Sequence, residues 1–461
     1  MSADDELYPS LPTVRDVEKG MKKRWDRFCR KGKKNVGVLK SIKNIYTCSW
    51  LNVLLLATPL AWWAHFNNEW HYSVVFALCF IAIIPHEKLF DYYGEQMKVY
   101  LGTDVGDLLT ITLNNVVEAT LAIILLRKCR LKLLQSTITG VVLLHLLLVP
   151  GAAFFTGGAR IWEQDLHPAH TQLNHSLLTV GVLALLLPAA FYAAIDGTSS
   201  ITSVANSNST IDGESVNVVE AHFLNISRGL AVILLVIYVG SRIYYHNPPG
   251  EGHNMLTHPD APAGLRDTED RLAHTEPEVN QWVCIAFLAL NVGLMAATAE
   301  WLVDGIEPVK EHTTITQEWF GIVLLPIVSF SADGAIAIGY FIKRTVKHLL
   351  KLKKPEPPTT LAKAEGIDLS IQFLLFWTPF VTLLGWWMNK PFNLLFDFFE
   401  VGMLLGACFL VNYVTQDAKT NWIEGLVLLC FYAMIVLCTW YYEGELAAGE
   451  FLLCPGQTVS S

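Results

Sequence analysis

Two acidic residues lie inside long apolar stretches of the sequence. Glu118 follows two asparagines in the first half of the chain, and Asp333 occupies a similar run in the second half. An ionised carboxylate deep in a bilayer costs about 2.5–3.5 kcal/mol on insertion scales, so such residues usually face a bundle interior and mark an ion or proton path. A carboxylate paired with a polar residue for packing alone is the alternative. Two carboxylates that meet at the midplane make a hard-oxygen site suited to Ca²⁺ or another hard divalent cation.

Protons and a divalent cation exclude each other at such a pair. Desolvation and mutual repulsion favour protonation of the two carboxylates while no cation is bound. A cation displaces the protons, and protonation expels the cation. This competition is the minimum that coupled exchange requires. The sequence therefore predicts a secondary cation/proton antiporter rather than an enzyme, with the transported ions as its only ligands and no cofactor.

Further oxygen ligands are expected because Ca²⁺ takes six to eight oxygens. The candidates are polar residues in the neighbouring apolar runs, namely Asn115, Ser331, Ser370 and Gln372. For Asn115 and Gln372, a structural amide that bonds a neighbouring helix explains the residue equally well.

Three other residues are candidates for accessory roles. Glu95 and Glu300 stand near the ends of predicted spans, where they fit either gating groups or plain interfacial carboxylates. His145 lies deep in an apolar run, where it fits a proton relay or a hydrogen-bonded core histidine.

The elements that position these residues are predicted to be transmembrane helices. Apolar residue types make up 52% of the 461 residues and charged types only 16%, with a formal net charge of −9. An average soluble domain has about 25% charged residues, so composition argues against a soluble enzyme, a disordered protein and a nucleic-acid binder. The nine cysteines are scattered without a C-x-x-C pair, which predicts neither a disulfide framework nor a zinc site.

Eleven apolar segments are long enough to cross a bilayer, which takes about 20 helical residues. Their predicted ranges are 48–65, 72–90, 104–126, 133–156, 175–195, 226–244, 281–304, 317–343, 367–389, 394–414 and 421–443. The basic N-terminal arm predicts a cytosolic N-terminus and contact with membrane lipid.

An internal repeat relates the two acidic positions. Asn114–Ile123 can be laid against Ser329–Ile338, which places Glu118 on Asp333. Five predicted spans separate the two copies, and an odd number forces them to insert with opposite topology. Inverted repeats of this kind are found in many secondary transporters.

At these positions the chain resembles the CAX family of Ca²⁺/H⁺ exchangers, within the calcium/cation antiporter superfamily. The resemblance runs from about Ser49 to Tyr442. The strings that carry it are Ser49–Leu55, Ala82–Pro85, Leu187–Phe191, Glu300–Glu307, Gly321–Val328, Ser370–Gln372 and Asn412–Asp417.

The resemblance implies an all-α polytopic membrane protein of about eleven helices: an auxiliary first helix and two inverted five-helix repeats. The implied segments are a basic cytosolic arm at 1–46, the first helix at 47–70, repeats at 71–244 and 281–443, an acidic cytosolic linker at 245–280 between them, and a tail at 444–461. Such a protein moves cytosolic Ca²⁺ into an acidic vacuole or another endomembrane compartment in exchange for protons. The oligomeric state stays open, a homo-oligomer included.

The family's paired signatures are Gly-Asn-Ala-Thr-Glu in the third span and Gly-Asn-Ala-Ala-Glu-His in the eighth. Glu118 and Asp333 take the two acidic places, and Asn115 keeps the first Asn. Several residues depart from the family pattern. In the signatures they are Asn114, Ser329, Phe330, Ser331, Asp333 and Gly334. In the fourth span, where the family carries small polar residues and an Asn, they are Val141, Val142, Leu144 and His145, and Asp368 departs before Ser-Ile-Gln.

These departures leave three functions open. Phe330 and the fourth-span residues remove oxygen ligands, whereas Asp368 and Ser331 restore some oxygen. Exchange of Ca²⁺ is the first expectation. Exchange of another cation (Mn²⁺, Na⁺ or K⁺) is the second, and a transport-inactive relative that acts as a membrane scaffold or regulator is the third.

Overall fold

The predicted helical membrane fold is confirmed by a computed structural model. It describes residues 22, 25–30, 36–67, 70–158, 164–165, 168–205, 213–246, 275–349, 365–444, 452 and 454. Almost every element in this part of the chain is a helix. The exceptions are β1 (Gln164–Asp165) and β2 (Lys419–Thr420), which form a short antiparallel pair.

The helices follow the apolar segments of the sequence. They are α1 (Val38–Thr47), α2 (Ala57–Phe66), α3 (Tyr72–Leu101), α4 (Thr103–Asn114), α5 (Val116–Arg127), α6 (Leu131–Leu143), α7 (Val149–Gly158), α8 (Pro168–Ala205), α9 (Gly213–His246), α10 (Gln281–Asp304), α11 (Ile306–Glu311), α12 (Gln317–Trp319), α13 (Leu325–Leu349), α14 (Glu365–Gln372), α15 (Thr378–Trp387), α16 (Phe398–Val414) and α17 (Trp422–Trp440). A 3₁₀ segment at Trp50–Leu56 precedes α2.

Seven helices in the described part of the chain are long and apolar enough to cross a membrane. Two further pairs of helices pass the same test when each pair is taken together. They are Val38–Thr47 with Trp50–Phe66, bent by 93°, and Val105–Asn114 with Val116–Arg127, bent by 52°. The number of spans rises to nine if each bent pair is one span. Gln317–Ala332 and Phe398–Val414 are shorter apolar helices. The outward faces are apolar as well: Val232, Val236 and Val239 on α9 are exposed, as expected for helices in contact with lipid.

Three π-helical turns interrupt the spans, at Leu144–Leu148, Phe320–Leu324 and Phe373–Trp377. The first joins α6 to α7, the second joins α12 to α13, and the third joins α14 to α15. A π turn leaves the local hydrogen-bond ladder irregular, and such turns occur frequently at functional sites. Two of them lie next to candidate site residues, since the first contains His145 and the third follows Gln372 directly.

A glycine contact brings the two halves of the chain together. A Cβ placed on Gly140 of α6 would lie 2.3 Å from the carbonyl oxygen of Ile322, and one placed on Gly321 would lie 2.6 Å from the Cβ of Ser136. Both distances are shorter than the contacts that Cβ atoms make in real proteins, so there is no room for a side chain and the backbones meet directly at this crossing. Small residues permit such close approach between helices in a membrane.

A buried polar contact also joins the halves. His86 of α3 lies 2.7 Å from the side-chain oxygen of Asn291 on α10 and 3.2 Å from the hydroxyl of Thr58 on α2. The Asn291 amide donates in return to the backbone carbonyl of His86. These bonds fix α3 against α10 deep in the bundle.

One sequence prediction is wrong. The structure contains a disulfide between Cys129 and Cys454, where no disulfide had been expected. The two cysteines are 325 residues apart, so no local spacing signals the pair. The bond ties the C-terminal tail to the turn between α5 and α6.

Several predicted segments lie partly outside the described residues. Helix α1 falls within the range assigned to the basic arm, and its Ser41 and Ile45 are buried. Most of the 245–280 linker lies outside the described residues, as does the side chain of Asp333, although α13 includes its backbone.

The glycine crossing makes a direct prediction. Gly140→Ala should destabilise the protein by roughly 1–3 kcal/mol, because the added methyl group overlaps the Ile322 carbonyl and the helices must separate. Thermal unfolding of the detergent-purified protein checks this. Gly402→Ala is the matched control, since a Cβ there has nothing within 4 Å; equal unfolding temperatures for the two variants would contradict the crossing.

Candidate functional site

Glu118 is buried and receives no hydrogen bond from the described part of the chain. Its residue is 1% exposed, and both carboxylate oxygens lack a hydrogen-bond partner there. It lies in the first turn of α5, which begins after the 52° break from α4. The positive end of a helix dipole favours an anion at this position.

The nearest titratable contact of Glu118 is His145. The Nε2 atom of His145 lies 3.6 Å from Oε1 of Glu118, and both side chains are buried. The π turn at Leu144–Leu148 carries the histidine. Ser329 is the other polar neighbour of the carboxylate; its hydroxyl donates to the Pro326 carbonyl at 2.8 Å.

Asn115 occupies the break between α4 and α5 with its amide oxygen free. The residue is the N-cap of α5, yet its side chain caps no backbone N–H, and Oδ1 has no partner among the described residues. Its Nδ2 donates to Oε1 of Gln372 at 2.8 Å and to the Leu369 carbonyl at 3.3 Å. The broken helix therefore presents a carboxylate and an amide oxygen, three residues apart, that are both buried and unbonded.

Gln372 connects three elements around this break. While its Oε1 accepts from Asn115, its Nε2 donates to the Thr112 hydroxyl and to the Tyr238 hydroxyl, each at 3.0 Å. Both N–H groups of the amide are thereby used, and the side chain links α4, α9 and α14. Ser370 bonds to the Gly366 carbonyl of its own helix at 3.1 Å and to Val142 at 3.5 Å.

The remaining candidates have other partners. The Ser331 hydroxyl donates to the Val328 carbonyl within its own helix. Asp368 accepts from the Asn174 amide at 2.7 Å. Glu95 is exposed on α3, and Glu300 forms ion pairs with Arg127 and Lys128 at the C-terminal end of α5.

A second buried acidic group escaped sequence analysis. One carboxylate oxygen from each of Glu318, Asp397 and Glu400 lies within 4.8 Å of the others, and all three residues are buried. Lys132 contacts this group, with Nζ 2.6 Å from Asp397 and 3.8 Å from Glu318. Glu318 and Glu400 stand near the starts of predicted apolar spans, so the rule that flagged Glu118 could have flagged them too.

The geometry around Glu118 suits reversible binding of a proton or a cation. A carboxylate in apolar surroundings that receives no hydrogen bond must take a proton, a cation or an added partner to offset its desolvation. Asn115 offers a neutral oxygen to a cation, and His145 offers a second titratable nitrogen.

Comparisons with known proteins agree with the helical fold. Residues 283–441 match the family described as sodium/calcium exchanger protein. A solved structure of native YfkE aligns with a TM-score of 0.61 at 21% identity, covering 86% of this chain and 100% of that one. The H⁺/Ca²⁺ exchanger CAX aligns with a TM-score of 0.56 at 15% identity, covering 87% of this chain and 90% of that one.

Relatives by sequence span nearly the same region. A vacuolar calcium ion transporter of Cryptococcus neoformans is 31% identical over 88% of this chain and 76% of its own length. A vacuolar calcium ion transporter of Schizosaccharomyces pombe is 29% identical, over 88% of both chains. A Ca²⁺/H⁺ antiporter of Synechocystis is 29% identical over 85% of this chain and 96% of its own length. The chain thus belongs to the CAX-type family of cation/proton exchangers.

Proposed function

We propose that this protein is a secondary active antiporter that exchanges Ca²⁺ for protons across the membrane of an acidic, vacuole-like compartment. The observation that carries the proposal is Glu118, which is 1% exposed and has no hydrogen bond to either carboxylate oxygen in the described part of the chain. The names of the relatives in Cryptococcus, Schizosaccharomyces and Synechocystis support Ca²⁺ and H⁺ as the ions.

Glu118 and Asp333 hold the transported ion in this proposal. Glu118 releases its proton when Ca²⁺ arrives and takes one when Ca²⁺ leaves. Asn115 contributes its free amide oxygen, and Asp333 brings the second carboxylate from the other half of the chain. His145 lies 3.6 Å from Glu118 and offers the ion a nitrogen rather than a hard oxygen.

The architecture proposed for this mechanism is eleven spans, with one auxiliary helix followed by two inverted five-helix repeats and the N-terminus in the cytosol. A similar irregularity in each half supports the repeats: the fourth and the ninth predicted spans each contain a π turn, at Leu144–Leu148 and Phe373–Trp377. Helices that rock around a midplane site then expose it to each side in turn.

Removal of the acidic charge tests the site. Glu118→Gln and Asp333→Asn should each abolish ⁴⁵Ca²⁺ uptake driven by an imposed pH gradient in reconstituted vesicles, because neither amide can release a proton to Ca²⁺. Glu311→Gln is the matched control, since this glutamate is exposed, and it should transport as the wild type does.

Two outcomes would overturn the proposal. If Glu118→Gln transports at the wild-type rate, its carboxylate does not hold the exchanged ions. If the wild type shows no proton-coupled flux of Ca²⁺, Mn²⁺, Na⁺ or K⁺, the protein is instead a transport-inactive scaffold.

Exchange of the histidine tests its effect on cation binding. His145→Asn should lower the KM for Ca²⁺ severalfold, because an amide oxygen next to Glu118 adds a hard ligand that the imidazole does not supply. His145→Leu, which supplies no oxygen, should leave KM unchanged or raise it. Uptake measured over a range of Ca²⁺ concentrations separates the two variants, and a higher KM for His145→Asn would contradict the assignment.

A further inference from the structure

The acidic group at Glu318, Asp397 and Glu400 lies at one end of the bundle. Glu318 belongs to α12, Glu400 lies in the first turn of α16, and Asp397 is the residue that precedes α16. Lys132 and Ser136, at the start of α6, face the same group. Four segments distant in sequence therefore converge on one buried polar cluster, since Tyr442 after α17 also donates to Asp397 at 3.2 Å.

The spacing of the carboxylates fits one metal ion. Ca²⁺ binds oxygen at 2.3–2.6 Å, so two ligands on opposite sides of the ion are about 4.8 Å apart and adjacent ligands are closer. One oxygen from each of the three carboxylates falls within 4.8 Å of the others. A single ion can reach all three without movement of the backbone.

Glu400 shows that the group is incompletely bonded. The residue is 0% exposed, its Oε2 accepts a long 3.4 Å bond from Thr139, and its Oε1 has no partner in the described residues. Three carboxylates and one ammonium leave a formal charge of −2 when all are ionised. A buried charge of that size needs compensation, which either protons or a divalent cation can supply.

Two residues of the C-terminal segment lie near this group. A Cβ placed on Gly444 would lie 2.6 Å from Oε1 of Glu318, so the backbone at Gly444 lies against the carboxylate. Cys454 is disulfide-bonded to Cys129, three residues before Lys132. Glu318, Asp397 and Glu400 are themselves buried.

The cluster is separate from the site at Glu118. Along α6, Ser136 and Lys132 precede His145 by nine and thirteen residues, which at 1.5 Å per residue is about 14–20 Å. The two sites therefore do not share ligands.

We propose that Glu318, Asp397 and Glu400 form a second site for a hard divalent cation of the size of Ca²⁺. The bound ion joins the starts of α12 and α16 and, through Lys132, Ser136 and Tyr442, anchors α6 and the end of α17. Its ligands are separate from those at Glu118, so its ion is not the one exchanged across the membrane.

Equilibrium binding of ⁴⁵Ca²⁺ to the detergent-purified full-length protein at neutral pH tests the second site. Glu400→Gln should bind one Ca²⁺ fewer per chain than the wild type. The double variant with Glu118→Gln and Glu400→Gln should likewise bind one fewer than Glu118→Gln alone. Glu318→Gln should show the same loss. Glu307→Gln is the matched control, because this carboxylate lies at the same end of the bundle, is half exposed and pairs with Arg130; its binding should not change.

A second measurement leaves the cluster intact. Ca²⁺ should raise the unfolding temperature of Glu118→Gln, since a ligand that binds only the folded protein stabilises it. The second site would be overturned if Glu400→Gln and Glu318→Gln bind as much Ca²⁺ as the wild type, or if Ca²⁺ leaves the unfolding temperature of Glu118→Gln unchanged. Protons would then be the positive charge that the cluster holds. Neither result bears on Glu118, whose role is decided by transport.

Discussion

Negative charge enclosed by apolar side chains is the constraint on which this structure depends. A buried carboxylate without a hydrogen bond is stable only when a proton or a cation joins it, and Glu118 is in that condition within the described part of the chain. The surrounding elements keep it so. The helix break leaves the Asn115 oxygen free, and Gln372 holds that asparagine by its nitrogen rather than by its oxygen. The polar network thus fixes the geometry around Glu118 without satisfying its charge.

Much of the fold was predictable because apolar runs of about 20 residues have few alternatives to a membrane-spanning helix. Each of the eleven predicted ranges coincides with a helix or a broken helix. Irregularities inside the spans were predictable only in part. The break at Asn115 contains neither proline nor glycine, so no residue marks it. Each π turn, in contrast, ends two residues before a proline (Pro150, Pro326 or Pro379), whose missing N–H interrupts the helical hydrogen bonds.

The contacts among the candidate site residues could not be predicted from the sequence. Asn115, three residues before Glu118, donates to Gln372, whereas Ser331 and Asp368 bond elsewhere. Which way a side chain points depends on the rotation of its helix, and an apolar run that is buried on all sides does not encode that rotation. The same limit hid the group at Glu400. Its three acids come from two segments far apart in sequence, Glu318 in α12 and Asp397 with Glu400 at the start of α16, and Asp397 stands just outside that helix.

The contact between Gly140 and Ile322 has a consequence for any movement of the bundle. Where two backbones touch with no side chain between them, the helices cannot come any closer at that point. Any rearrangement that narrows the space between the two halves must therefore take place elsewhere along these helices.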